Sequence, residues 1–113
     1  MLCAQDRGAA AKLYLQFAAS LDPGLAEAWY NLALLLDAEG EKAAAREGFE
    51  RAIEADPDYA DPLYNLAHLE FEAGAFARAR ELWQRYLTLD PDSEWSRKAR
   101  HGLALCQRQS QWI

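Results

Sequence analysis

His68 and Glu72 stand four positions apart, a spacing that puts both side chains on one face of a helix. Two metal ligands or a proton-transfer couple would use that arrangement. Two ligands do not make a site, however, and no convincing third lies near them in the chain. The pair reads as a surface hydrogen bond. His101 stands among basic residues with no partner for chemistry, and reads as exposed or packed. Cys3 and Cys106 lie near opposite ends, form no CxxC couple and no zinc spacing, and read as reduced, packed thiols. The corners Asp56-Pro57-Asp58 and Asp90-Pro91-Asp92 gather carboxylates as a calcium loop would. They lack its central glycine and closing glutamate, and they recur as breaks between helices. No glycine-rich phosphate loop occurs. The sequence predicts no catalytic residues, no metal and no cofactor, so an enzyme is not expected.

The elements that carry these residues follow from composition. With 113 residues, 51% apolar and 27% charged, the chain can bury one modest core. Alanine, leucine, glutamate and arginine dominate and valine is absent, which favours helix over strand. A net charge of −6 argues against direct nucleic-acid binding. That charge is uneven. Residues 24–93 hold 15 acidic and 6 basic side chains, whereas 94–113 set Glu94 against Arg97, Lys98, Arg100 and Arg108. An acidic body with a basic tail predicts solvated faces, a partner with basic or apolar features, or head-to-tail contact between copies. No apolar run approaches the roughly 18 residues that span a membrane. The N-terminus lacks the pattern of a secretory signal, so a cytoplasmic protein with no membrane role is expected.

The stretch from Ala28 to Pro91 repeats itself at an offset of 34 residues. Tyr30 falls on Tyr64, Asn31 on Asn65, Leu32 on Leu66, Ala33 on Ala67, Gly40 on Gly74, Ala45 on Ala79, and Asp56-Pro57 on Asp90-Pro91. A fixed period of this size predicts a solenoid. Helices are predicted over 25–39, 41–55, 59–73 and 75–89, with Gly40 and Gly74 or an Asp-Pro corner as stops. Residues 5–21 read as the second helix of a repeat whose first helix would precede residue 1 in a longer protein, or else as an N-terminal cap. Its apolar positions, including Ala11, Leu13, Tyr14, Leu15, Phe17, Ala18 and Leu21, wrap most of its circumference and expect neighbours on both sides. Ala33, Ala67, Ala45, Ala52 and Ala79 sit where a bulky side chain would hold paired helices apart. A last helix is predicted over 93–108, capped by the Ser93 hydroxyl. Its stripe is Trp95, Ala99, Gly102, Leu103 and Cys106, and Arg97, Lys98, Arg100, Gln107 and Arg108 face solvent, so it reads as a C-terminal cap. Trp29 and Trp83 read as core, Trp95 as docking the cap, and 109–113 as frayed, with Trp112 and Ile113 unassigned.

The pattern resembles the tetratricopeptide repeat: Trp29, Leu32, Ala33 and Leu36, then Ala45, Phe49, Ala52 and Pro57. The next copy supplies Leu63, Leu66 and Ala67, then Ala79, Trp83 and Pro91, and departs at Glu70 and Tyr86. The resemblance covers 26–59 and 60–93 as repeats, 5–23 as a half repeat and 94–108 as a cap, within one domain. It implies an all-α, right-handed superhelix of about six antiparallel helices, and a concave groove lined by the first helix of each pair. By position that groove presents Glu27, Tyr30, Asn31, Leu34 and Asp37, then Asp61, Tyr64, Asn65, His68, Phe71 and Glu72.

The resemblance therefore implies a non-catalytic interaction module that holds a peptide or helix of a partner protein. An acidic, aromatic groove favours a basic-apolar segment. The family's two-carboxylate clamp for chaperone tails is not expected, because Tyr30, Leu34, Trp95 and Ala99 occupy four of its places. The chain reads as part of a larger bacterial protein. The alternative is a scaffolding segment that self-associates through the exposed N-terminal half repeat. Arg85–Arg100 is similar to repeat-bearing tails of bacterial transcription regulators of the mercury-resistance type, where the segment would sense or oligomerise.

Overall fold

The computed structural model describes residues 13, 16–18, 20–22 and 24–111, without the side chains of 109–111. The readings of Cys3, Ala11, Tyr14, Leu15, Trp112 and Ile113 lie outside these residues. Five helices follow one another: α1 (Ala26–Ala38), α2 (Lys42–Ala55), α3 (Ala60–Glu72), α4 (Phe76–Leu89) and α5 (Glu94–Gln111). No strand occurs among the described residues, and Leu13, 16–18, Ser20 and Leu21 are helical, within the N-terminal helix expected there. The fold is an all-α helical repeat, and the first four helices agree with the predicted spans to within one residue at each end. Helix α5 runs on to Gln111, where fraying was expected.

Two glycines set the helix ends. Gly40 and Gly74 adopt φ of +83° and +84°, the left-handed region where a Cβ is unfavourable. After Gly40, the Glu41 N–H reaches back to the Leu36 carbonyl at 2.9 Å and the Gly40 N–H to Asp37 at 3.0 Å. After Gly74 the same pair recurs, Ala75 to Glu70 and Gly74 to Phe71. Both are six-to-one and five-to-two closures that satisfy the last carbonyls of a helix. Asp56 is extended and Asp90, at φ −138° and ψ 80°, has likewise left the helical region that a following proline disfavours, and they end α2 and α4.

The chain divides into two compact units, residues 1–57 and 58–113. In the first, α1 packs along α2. A three-residue connection between helices packed along their length makes them antiparallel. Leu32, Ala33 and Leu36 meet Ala45, Gly48, Phe49 and Ala52 in its core. The small residues allow the approach: a Cβ on Gly48 would lie 2.9 Å from that of Ala33. In the second unit α3 packs on α4, and α5 packs mainly on α4. Ala33, Ala45, Ala52, Ala67 and Ala79 are all fully buried, as the spacing argument requires.

Two expectations are corrected. Trp95 meets the Tyr64 ring at 5.5 Å, but it is 51% exposed and lies outside the buried stripe of the last helix. The buried stripe of α5 is instead Ser96, Ala99, Gly102 and Cys106. Ser96 takes the inner place because it closes the helix start. Its N–H donates to Ser93 Oγ at 3.1 Å, and its own Oγ accepts the Ser93 N–H at 2.7 Å. This reciprocal cap realises the predicted role of Ser93 with a serine where glutamate is usual. Trp29 is half-buried rather than core, with the Arg51 guanidinium 5.2 Å above its ring.

Candidate partner-binding surface

The residues assigned to the groove all reach the surface of their own unit. In the first, Glu27 and Asn31 are exposed, and Tyr30 and Leu34 are half-buried. Tyr30 leans on the buried Phe49 ring at 5.9 Å, which holds its orientation. Asp37 is turned to Lys42, with 2.5 Å between carboxylate and ammonium. In the second unit Asp61, His68 and Glu72 are exposed, and Tyr64, Asn65 and Phe71 are half-buried. His68 Nδ1 lies 3.1 Å from Glu72 Oε1 on the open surface, so the two side chains share the helix face that their spacing predicts. Among the described residues no three His, Cys, Asp or Glu side chains gather as a metal site would require.

Aromatic contacts tie this face of α3 to the helices beside it. The Tyr64 ring meets Tyr86 at 5.4 Å and the edge of Trp95 at 5.5 Å. Phe71 meets Phe76 at 5.2 Å and Trp83 at 5.8 Å. Burial raises the pKa of the Tyr64 hydroxyl. Burial, and then the hydrogen bond to Asp90, push that of Tyr86 up to about 12. The hydroxyls of Ser93 and then Tyr86 hold Asp90 below the ordinary carboxylate value. Burial raises the Cys106 thiol, against a smaller opposing effect of Arg80.

A hollow of about 440 Å³ opens inside the second unit. Trp83 and Gly102 form its buried floor, and Tyr64, Phe71 and Leu105 its half-buried walls. The exposed side chains at its rim are His68, Arg97, Lys98 and His101. Gly102 lets α5 close onto the floor, because a Cβ there would lie 2.5 Å from Cη2 of Trp83. The structure thus brings Tyr64, His68 and Phe71 together with residues that the sequence reading left in a solvated cap. A signal for them existed: Tyr64, His68 and Phe71 advance by the 34-residue period onto Lys98, Gly102 and Leu105.

The two departures from the repeat pattern are both partnered. Glu70 is buried, with Arg78 Nε 3.4 Å from its Oε2 across the helix pair. Tyr86 gives its hydroxyl to Asp90.

The comparisons agree with this architecture. Two family models, each described as tetratricopeptide repeat, match residues 43–101 and 26–59. No curated protein matches the sequence. Among solved structures, one titled MamA is 26% identical with a TM-score of 0.81, over 88% of this chain and 57% of its own. The tetratricopeptide repeat domain of P58(IPK) is 21% identical with a TM-score of 0.87, over 96% of this chain and 30% of its own. The Yersinia enterocolitica type III secretion translocator chaperone SycD is 15% identical with a TM-score of 0.85, over 95% of this chain and 77% of its own. This chain thus spans little more than half of MamA and less than a third of the P58(IPK) domain. With a family model across more than half its length, the chain belongs to the tetratricopeptide repeat family.

Proposed function

We propose that this chain is a non-catalytic protein-interaction module that holds a peptide or helical segment of a partner. The observation that carries the reading is the exposed side of the first helix in each pair. Aromatic side chains fixed by rings beneath them stand there with amides and carboxylates, the mixture a peptide contact uses. The proposed contacts are Glu27, Tyr30, Asn31 and Leu34 in the first unit. In the second they are Asp61, Tyr64, Asn65, His68, Phe71 and Glu72. Exposed Glu27, Asp61 and Glu72 favour basic groups flanking an apolar core in the partner. SycD, titled a chaperone, and the Sgt2 domain of Aspergillus fumigatus support the fold but do not name a partner for this chain. A cytoplasmic setting accords with a chain whose two cysteines form no CxxC couple and of which Cys106 is buried.

The test is capture of partners by the chain, with peptide mapping of what is retained. Tyr64→Ala and Asn65→Ala weaken capture while circular dichroism keeps its helical signal. Undiminished capture by both variants removes the assignment of this face. We also read the chain as part of a larger bacterial protein; an immunoblot of its source cells showing only a 113-residue product overturns that.

A second reading has its own observation. Leu13, Phe17 and Leu21 recur every four residues and are 66%, 63% and 71% exposed. An apolar stripe of this kind favours self-association, in a scaffolding or regulatory segment. Sedimentation separates the readings: concentration-dependent dimerisation that Phe17→Glu abolishes supports the second, and a monomer at high concentration removes it.

A further inference from the structure

We propose that the hollow of residues 58–113 receives one large apolar side chain flanked by carboxylates, on a peptide segment of the partner. This inference rests on the interaction-module reading and names what that module selects at one place.

The chemistry of the lining carries it. Phe71 and Trp83 offer aromatic surface at the bottom, and Gly102 lets α5 lie directly against the Trp83 ring there. Around that floor stand Arg97, Lys98, His68 and His101, and no carboxylate is among the lining residues. This happens in a chain of net charge −6, so the sign of the hollow runs against that of the chain. Two carboxylates lie close by and must be weighed. Glu72 sits 3.1 Å from His68, and Glu94 sits 3.9 Å from Lys98, whose ammonium also lies 4.4 Å over the Trp95 ring. Both acids are more than half exposed, where ion pairs are weak and readily exchanged. Arg97 and His101 have no ion-pair partner among the described residues. An incoming carboxylate therefore meets Arg97, and Lys98 in a weak exposed pair, with two imidazole N–H donors beside them, at the mouth of an apolar floor. Size agrees, since pockets of roughly 300–1,000 Å³ are the range that encloses small organic groups. The acidic positions Glu27 and Asp61 favour the opposite charge elsewhere on the partner, so the hollow sets the polarity of the bound segment at this place only.

The test uses the full chain and fluorescein-labelled, end-capped heptapeptides read by anisotropy. Their central triplets are Glu-Phe-Glu, Gln-Phe-Gln, Lys-Phe-Lys and Glu-Ala-Glu, and a single-stranded oligoribonucleotide is a further arm. Glu-Phe-Glu binds tightest, at least about fivefold better than Gln-Phe-Gln. Arg97→Glu and Lys98→Glu each weaken it by about fivefold, and Glu-Ala-Glu loses most of its binding. Both variants alter exposed positions, so the fold persists. Arg85→Glu, on α4 outside the hollow, leaves binding unchanged. Equal or tighter binding of Lys-Phe-Lys, a preference for the oligoribonucleotide, no binding at millimolar peptide, or an equal loss in Arg85→Glu overturns the proposal. A basic peptide held through Tyr64 and Asn65 sinks only the hollow's polarity and leaves the interaction module standing.

Discussion

The Tyr86 hydroxyl donates a 2.5 Å hydrogen bond to Oδ2 of Asp90, four residues on, across the end of α4. Ser93 Oγ donates to the same oxygen at 2.6 Å, and Ser93 then starts α5. Arg100 adds a bond to the Pro91 carbonyl. One carboxylate thus joins the stop of α4 to the start of α5. The equivalent corner at Asp56 has Ala52 in place of Tyr86 and Tyr59 in place of Ser93, so it lacks the Tyr86 hydroxyl and the serine that starts α5.

Tyr86→Phe keeps the ring and removes the donor, so it lowers the urea midpoint of the chain. It also changes the response to alkali. In the folded chain the Tyr86 hydroxyl stays protonated to about 12, above the ordinary value of 10.0. The unfolded chain loses that proton first, so stability falls as pH rises from the ordinary value towards the raised one. Urea titrations between those limits show a shallower decline for Tyr86→Phe. Identical slopes rule out this coupling.

Asp90→Asn tests the acid side. The carboxyl of Asp90 is held low by hydrogen bonds, so its contribution is present above the ordinary carboxylate pKa. It is lost as pH falls through the lowered value. Denaturation at neutral pH separates Asp90→Asn from the natural chain, and the gap closes in strong acid. A gap that is independent of pH contradicts the assignment.

Glu70 and Arg78 replace Leu36 and Ala44 of the preceding repeat, and they form one pair. Arg78→Ala leaves a buried carboxylate with less compensation and costs roughly 1–2 kcal/mol, discounted because the arginine is half exposed. Adding Glu70→Leu recovers most of that loss, since an apolar residue suits the site. A double-mutant cycle by urea denaturation measures the coupling, expected to exceed about 0.5 kcal/mol. Additive costs refute the pairing as an energetic unit.

Gly74→Ala meets no atom within 4 Å, so its whole cost is backbone strain at φ of +84°. The expected loss is about 1–2 kcal/mol. Gly74→Asn, which tolerates that conformation, loses less. Equal stability for alanine and glycine at this position argues against the closure drawn here.

Gly102→Ala tests a different cause. Its Cβ would press on the ring of Trp83, which Phe71 backs at 5.8 Å. Overpacking of this kind costs about 1–3 kcal/mol. The thermal midpoint falls and the fluorescence of buried Trp83 shifts; no change in either shows that the ring has room to move.

Much of the fold was legible because its causes are local. Gly40, Gly74 and the two Asp-Pro corners mark helix ends within a few residues of themselves, and they were read correctly. The alanines Ala33, Ala45, Ala52, Ala67 and Ala79 revealed the close faces because the repeat shows each position more than once. Trp95 misled, because a large aromatic on an amphipathic helix is a good guess for core. It lies one position from Ser96, and a step of one residue turns about 100° around a helix, enough to exchange inside for outside.

Sequence alone determined the period, the helix spans and the pairing of helices, since propensity, apolar spacing and turn residues act within a few positions. Tertiary structure alone decided that Glu70 is buried beside Arg78 and that Tyr86 ties down Asp90. It also decided that a basic rim surrounds an aromatic floor between Phe71 and Gly102. Those features depend on how deep one helix sits against another, which is set by the summed packing of side chains far apart in the chain.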